Sequence, residues 1–300
     1  MATVIAGTPL VIAALGELVV ERSGVLNLGA EGTMAIGAVA AFAAALHSGS
    51  ALVGVVAGMA AGAAMSLIFA VLTLTLQANQ VASGLALTIF GVGLSAFVGK
   101  PYEAQALPEI APLHLPWLSD LPFVGPLLFG QKALVYFSWA LFAATAWFLY
   151  RSRWGLVLRA VGESPSSAHA IGHPVIRIRY LATLYGGAVT GIAGAFISVY
   201  YTPLWVEGMV AGRGWIALAL VVFATWRPAR VLVGAYLFGG VMIMQLFVQG
   251  SGAQVDVPAQ FLSSLPYWAT IIVLVIISRN PNTIRLHSPV SLGRPYRPDL

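Results

Sequence analysis

The sequence predicts an all-helical bundle that crosses a membrane many times, and three observations carry that prediction. Of 300 residues, 59% are hydrophobic and only 8% are charged. An ordinary soluble domain carries about 25% charged residues. The apolar residues are gathered into long runs, at about 4–20, 28–46, 52–76, 81–99, 132–150, 180–201, 213–225, 231–248 and 264–278. Several approach the roughly 20 residues that a helix needs to cross hydrocarbon. The basic residues sit mainly in the connections between runs, which is the ordinary signature of membrane topology and does not suggest nucleic-acid binding despite the net charge of +5. The expected fold class is therefore an all-α, polytopic transmembrane helix bundle of about nine membrane segments, some discontinuous, forming one domain over 1–300.

The first run has no basic residue ahead of it, the first being Arg22, so it reads as a retained span and not a cleaved leader. It ends in the stretch Glu21 to Gly32, which places three charges, one asparagine and three glycines within twelve residues between two runs of hydrocarbon. Charge at bilayer depth costs about 2.5–3.5 kcal/mol per group on insertion scales. Irregular backbone is not tolerated against lipid. Two readings stay open for this break: a turn at a membrane surface, or a discontinuous helix lining a solute path.

The later runs follow in order. Gly54, Gly58 and Gly62 form one ridge of small residues, and Gly187 and Gly191 a second. Such ridges let helix backbones approach closely, here within the bundle, with subunit contact as the alternative. The connection 100–131 contains six prolines, which exclude a regular helix. It is expected to lie outside the cell as an interfacial lid, or to dock an external partner. The run 213–225 is too short to span straight, so it is expected to be a half-helix or to continue into the preceding loop. In the connection 151–179, Ser164 can cap a short helix over 165–171 with Pro165 at its first position and Gly172 ending it. A short surface helix between two spans is suited to receive force from a soluble partner.

Charge sets the orientation. With nine spans and the N-terminus outside, twelve of the 15 basic residues fall on the cytoplasmic side, and Lys100, Lys132 and Arg213 remain outside. The tail 279–300 is then cytoplasmic.

The sequence lacks most catalytic signatures. There is no cysteine. Neither lysine fits a phosphate-binding loop, so the chain is not itself an ATPase. There is no Gly-x-Ser-x-Gly elbow and no His-Glu-x-x-His. His169 and His173 share a helical spacing, but Gly172 and Pro174 break the helix there and no third ligand is evident, so no metal site is expected. No aspartate falls within an apolar run, which argues against a proton-relay pump running on an ion gradient.

The polar groups at membrane depth are few. Glu17 is expected either to reach the interface or to pair with Arg22. Asn79 either caps the fourth run or faces a solute. Trp205, Glu207, Arg213 and Trp215 cluster near 202–214, with Glu207 and Arg213 close enough for a local ion pair. Aromatic faces beside hydrogen-bonding groups suit a planar neutral ligand. The expected substrate path comprises Asn27, Glu31, Asn79, Trp205 and Glu207.

The motifs carry a resemblance. Thr8-Pro9-Leu10 and the whole of Glu21-Arg22-Ser23-Gly24-Val25-Leu26-Asn27-Leu28-Gly29-Ala30-Glu31-Gly32 closely resemble the permease family of bacterial ABC importers for branched-chain amino acids and simple sugars. The similarity is nearest to the nucleoside branch, which works with a basic-membrane-protein-type lipoprotein. Gln77 to Leu85 resembles a second motif of that branch, and Trp154-Gly155-Leu156 through Glu163, Ala168 and Gly172 is similar to its coupling loop. The resemblance covers about residues 7–280.

It implies a pore-forming subunit of type II importer fold in the bacterial inner membrane. That subunit binds no cofactor; ATP belongs to two partner ATP-binding subunits. A second, usually longer permease and an extracytoplasmic solute-binding lipoprotein complete the assembly. The coupling residues carried over are Arg159, Gly162, Glu163, Ala168 and Gly172. Because the chain starts close to Thr8-Pro9, it is similar to the shorter permease of a heterodimer. The implied cargo is a nucleoside, with a simple sugar or branched-chain amino acid as the neighbouring possibilities.

Overall fold

The computed structural model describes residues 1–113, 119, 125–250 and 288–297, with single positions at 264, 265, 268, 271, 272 and 275. Among the described residues the regular structure is helical, apart from one isolated antiparallel bridge between Ala106 and Leu204. The helices are α1 (Ala2–Arg22), α2 (Ala30–Ser48), α3 (Ala51–Ala70), α4 (Gln80–Gly99), α5 (Ala133–Arg151), α6 (Arg153–Glu163), α7 (Pro165–Ala170), α8 (Val175–Ala195), α9 (Arg213–Phe223) and α10 (Pro228–Gly250). Helices α3 and α8 run on into π-helical turns at Val71–Thr75 and Phe196–Tyr201.

Seven of these helices are long and apolar enough to cross a membrane, counting α3 and α8 with their π-helical turns. The expected run 213–225 is the short helix α9, entered through the irregular loop 202–212. Of the nine expected segments, seven are spans and one is the half-length α9 among the described residues. The last run, 264–278, falls largely outside them, as does the middle of the proline-rich connection, including Pro116 and Pro122.

α1, α2 and α8 form the centre of the bundle, with most of each span buried. α3, α4, α5 and α10 flank them and expose long apolar faces. α3 packs along α2 and α8, and α10 packs along α1. The two glycine ridges explain the first of these contacts. A methyl group on Gly62 would lie 2.2 Å from the carbonyl oxygen of Gly187, and one on Gly191 would lie 2.1 Å from that of Gly58. The small residues of both ridges therefore set an internal helix crossing.

Candidate translocation path and coupling end

The break between α1 and α2 is buried. Glu21 to Val25 are enclosed, as are Asn27 and Gly29 to Gly32. Other helices satisfy its backbone, which irregular chain at membrane depth requires. The Leu26 amide donates to Gln80 Oε1 (2.8 Å), the Leu28 carbonyl accepts from Thr88 Oγ1 (2.8 Å), and the Ser23 carbonyl accepts from Arg179 Nε (3.2 Å). Asn27 Oδ1 accepts from the Gly29 amide at 2.9 Å, forming a local turn. Its Nδ2 is buried without a partner among the described residues, as is Gln80 Nε2.

Glu31, in the first turn of α2, reaches across the bundle to the start of α9. Its Oε1 accepts from the Gly212 amide (2.8 Å) and its Oε2 from the Gly214 amide (2.7 Å). A carboxylate placed on the free amides of a helix N-terminus meets both their hydrogen-bonding need and the helix dipole. Gly214 is where the two elements touch, since a methyl group there would lie 2.5 Å from Glu31 Cα.

Beside this contact is a cavity of about 170 Å³. Glu31, Ala35, Val92 and Ser95 line it on one side, and the loop residues Val206 and Gly208 to Ala211 on the other. Ser95 Oγ is engaged with the Ala35 carbonyl (3.1 Å). The cavity is bounded by α2, α4 and the loop 202–212, and among the described residues it presents no uncommitted charge.

The remaining expected path residues lie elsewhere. Trp205 is buried against Val39 and Phe42, with its ring pressed on Gly99, where a methyl group would come within 2.1 Å. It anchors the loop 202–212 between α2 and α4 and does not line the cavity. Glu207 is exposed and forms no ion pair with Arg213. Arg213 Nη1 instead donates to the Met209 carbonyl (2.8 Å), and its guanidinium lies 5.8 Å from the Tyr201 ring centroid.

Asn79 is exposed and caps α4, its Oδ1 accepting from the Ala82 amide at 3.0 Å. The next residue, Gln80, is the buried one. Asn79→Ala is accordingly expected to cost about 1 kcal/mol of stability through the lost cap, measurable as a lowered unfolding midpoint, with the half-saturating substrate concentration for uptake unchanged. A shifted half-saturation value would return Asn79 to the solute path.

Glu17 departs from both expectations for it. It is fully buried, neither oxygen has a partner among the described residues, and it does not pair with Arg22. Arg22 Nη2 donates to the Trp226 carbonyl (2.8 Å), and Trp226 Nε1 donates to Glu21 Oε2 (2.6 Å), so the end of α1 is tied to the end of α9.

The proline-rich connection bears on the same loop. The Leu107 amide donates to the Pro203 carbonyl (2.8 Å), and Lys132 Nζ donates to the Tyr200 carbonyl (2.7 Å).

At the opposite end, the connection after α5 forms two helices. Ser152 caps α6 by accepting from the Gly155 amide (2.9 Å). Ser164 caps α7, Pro165 occupies its first turn, and the helix stops at Gly172, whose φ of +92° suits glycine. The Gly172 amide donates to the His169 carbonyl and the His173 amide to the Ala168 carbonyl, the paired bonds of a Schellman stop.

Ala168 is buried with Val161 and Val175. Gly162 lies against the end of α1, where a methyl group would come within 2.2 Å of the Arg22 carbonyl oxygen. Its own carbonyl accepts from the Ser291 amide (3.0 Å) and from Ser291 Oγ (2.6 Å). Arg159 sits over Tyr150 at 5.6 Å, and Glu163 is exposed.

The segment 288–297 closes this end. Beyond Ser291, the Gly293 amide donates to the Gly24 carbonyl (3.2 Å), and Arg297 Nε donates to Gln77 Oε1 (2.5 Å). Buried Arg179 donates to Ser291 Oγ (3.0 Å) as well as to Ser23. Sequence reasoning placed Arg179 in a loop. In fact α8 begins at Val175, and an arginine inside a span is itself a signal of a specific partner.

Residues 1–278 match the family described as the permease component of the branched-chain amino acid transport system. TsgC13 of Haloferax volcanii, named provisionally as a glucose ABC transporter permease protein, is 40% identical over 319 residues, covering 100% of this chain and 97% of that protein. The guanosine ABC transporter permease protein NupQ of Bacillus subtilis is 32% identical over 310 residues, covering 98% and 95%. The nucleoside ABC transporter permease protein NupC of Lactococcus lactis is 32% identical over 283 residues, covering 90% and 88%. With spans, a half-length helix and a capped connection of this form, and with matches over nearly its whole length, the chain belongs to the family of multi-pass ABC transporter permeases.

Proposed function

We propose that this chain is the membrane-spanning subunit of an ATP-driven importer and that its cargo is a small neutral polar solute, a nucleoside in the first instance. The observation that carries the reading is the cavity beside Glu31. Among the described residues, its one charged lining residue is committed to backbone amides of α9, so the wall offered to a solute is neutral, part peptide and part apolar. Such a wall favours hydrogen-bonding solutes over ions. The guanosine and nucleoside names of two relatives support the nucleoside. A simple sugar is the second reading, favoured by the higher identity to TsgC13.

In this reading the N-terminus is outside, and α6, α7 and the segment 288–297 face the cytoplasm. Two ATP-binding partner subunits bind and hydrolyse ATP and press on the 151–179 connection. A second permease completes the path, and an extracytoplasmic lipoprotein delivers the solute. Force on α6 reaches the α1–α2 break through Gly162 and Arg22, and α9 through Trp226. Two packed arrangements of these elements would give alternating access.

The test is uptake of radiolabelled guanosine, uridine, ribose, glucose and leucine in cells with and without this chain. Loss of nucleoside uptake alone is expected. Loss of glucose or ribose uptake alone would move the cargo to the sugars. Unchanged uptake of all five would refute both readings.

A further inference from the structure

A second and larger cavity, of about 700 Å³, lies at the α6–α7 end between α5, α6 and the start of α10. Its mouth carries the guanidinium groups of Arg159 on α6 and Arg227 before α10, and the buried Arg22 at the end of α1, already bonded to the Trp226 carbonyl, completes the basic lining. Among the described residues, Glu163 is the only carboxylate lining it. Arg159 is held over the Tyr150 ring, and its Nε is buried without a hydrogen-bond partner among the described residues.

The interior is different in kind. Tyr150, Ala146 and Phe142 descend α5 at four-residue intervals, so they form one stripe along the helix. Eight residues of helix are about 12 Å. The cavity thus runs from a basic mouth at the helix ends down an apolar wall within a membrane span.

We propose that this cavity binds an anionic phospholipid, with the phosphodiester at the arginines and the upper acyl chain along Ala146 and Phe142. A free phosphate would use the mouth alone and leave the apolar wall idle. An acidic side chain of a soluble partner would likewise have no use for a wall that continues about 12 Å along the span. Basic pockets between spans recognise headgroups by charge, and the volume suits a headgroup with its first methylenes. The site is separate from the cavity beside Glu31 and stands whichever solute is carried.

The assembled transporter, delipidated in detergent, is titrated with phosphatidylglycerol, phosphatidylcholine or inorganic phosphate and read by native mass spectrometry. Phosphatidylglycerol is expected to be retained about fivefold more strongly than phosphatidylcholine. Arg227→Gln and Arg159→Gln should each lower that retention by a similar factor. Ala146→Trp, which fills the apolar wall and leaves the arginines in place, should abolish lipid retention without affecting phosphate. Equal retention of the two lipids, or phosphatidylglycerol retention indifferent to all three substitutions, would overturn the proposal. So would inorganic phosphate displacing the lipid while Ala146→Trp has no effect, since the site would then take a free anion.

Discussion

Replacing Glu31 with alanine is expected to lower uptake by at least roughly tenfold, for which about 1.4 kcal/mol of lost positioning is enough, and to lower the unfolding temperature as well. The carboxylate accepts from two amides at the start of α9, Gly212 and Gly214. Each buried donor left without a partner costs about 1–3 kcal/mol. Two together therefore cost on the order of 4 kcal/mol, a large part of a total stability of about 5–15 kcal/mol. Gly214 also packs directly on the Glu31 backbone, so the two elements share a close contact at this point.

Glu31→Gln keeps one carbonyl oxygen but turns an NH₂ group toward a second donor. It should fall between alanine and the native residue in both measurements. An alanine variant with native unfolding temperature and native uptake would show that something other than this carboxylate holds α9 in place.

Gly162→Leu is expected to abolish ATP-dependent uptake while the protein still inserts and assembles. Its side chain would enter the space of the Arg22 carbonyl, a backbone atom that cannot rotate away. Overpacking of this kind costs about 1–3 kcal/mol. The strain would be met by moving α6 away from the α1–α2 break, and the two Ser291 bonds to the Gly162 carbonyl would move with it.

Glu163→Lys separates force transmission from packing. Glu163 is exposed, so the charge it loses beside Arg22, Arg159 and Arg227 is screened by solvent, and reversing it should change stability by only about 1 kcal/mol. It faces the proposed partner and should still reduce the solute moved per ATP hydrolysed. The readout is uptake and hydrolysis measured in parallel in reconstituted vesicles. Native coupling ratios in both variants would remove α6 from the coupling path.

Features decided within a few residues were legible in the sequence. Ser164, Pro165 and Gly172 bound α7 because a cap, a first-turn proline and a left-handed stop each act on their immediate neighbours. Asn79 at the head of α4 is a second case. The apolar runs predicted spans because a helix must cover a fixed thickness of hydrocarbon. Even the half-length α9 followed from counting residues before Trp226.

What the tertiary structure alone decided is which faces meet. Glu31 and Gly214 are 183 positions apart, and Gly162 and Ser291 are 129 apart. No local rule joins them. In a soluble protein a helix advertises its inner face by an apolar stripe. In this bundle that signal is weak, because lipid is as apolar as leucine and helices apolar all round can lie at the centre or the rim. α1 is enclosed on nearly every side while α4 exposes Ile89, Phe90 and Phe97, and the two read alike as sequence. For that reason Glu17 and Arg22, five residues apart on α1, could be taken for partners. The packing instead sends Arg22 to Trp226 on the α9 connection and encloses Glu17. Only the small and polar residues break the degeneracy. The glycines do so by allowing backbones to touch, and Glu31, Gln80 and Arg179 by needing a partner that hydrocarbon cannot supply.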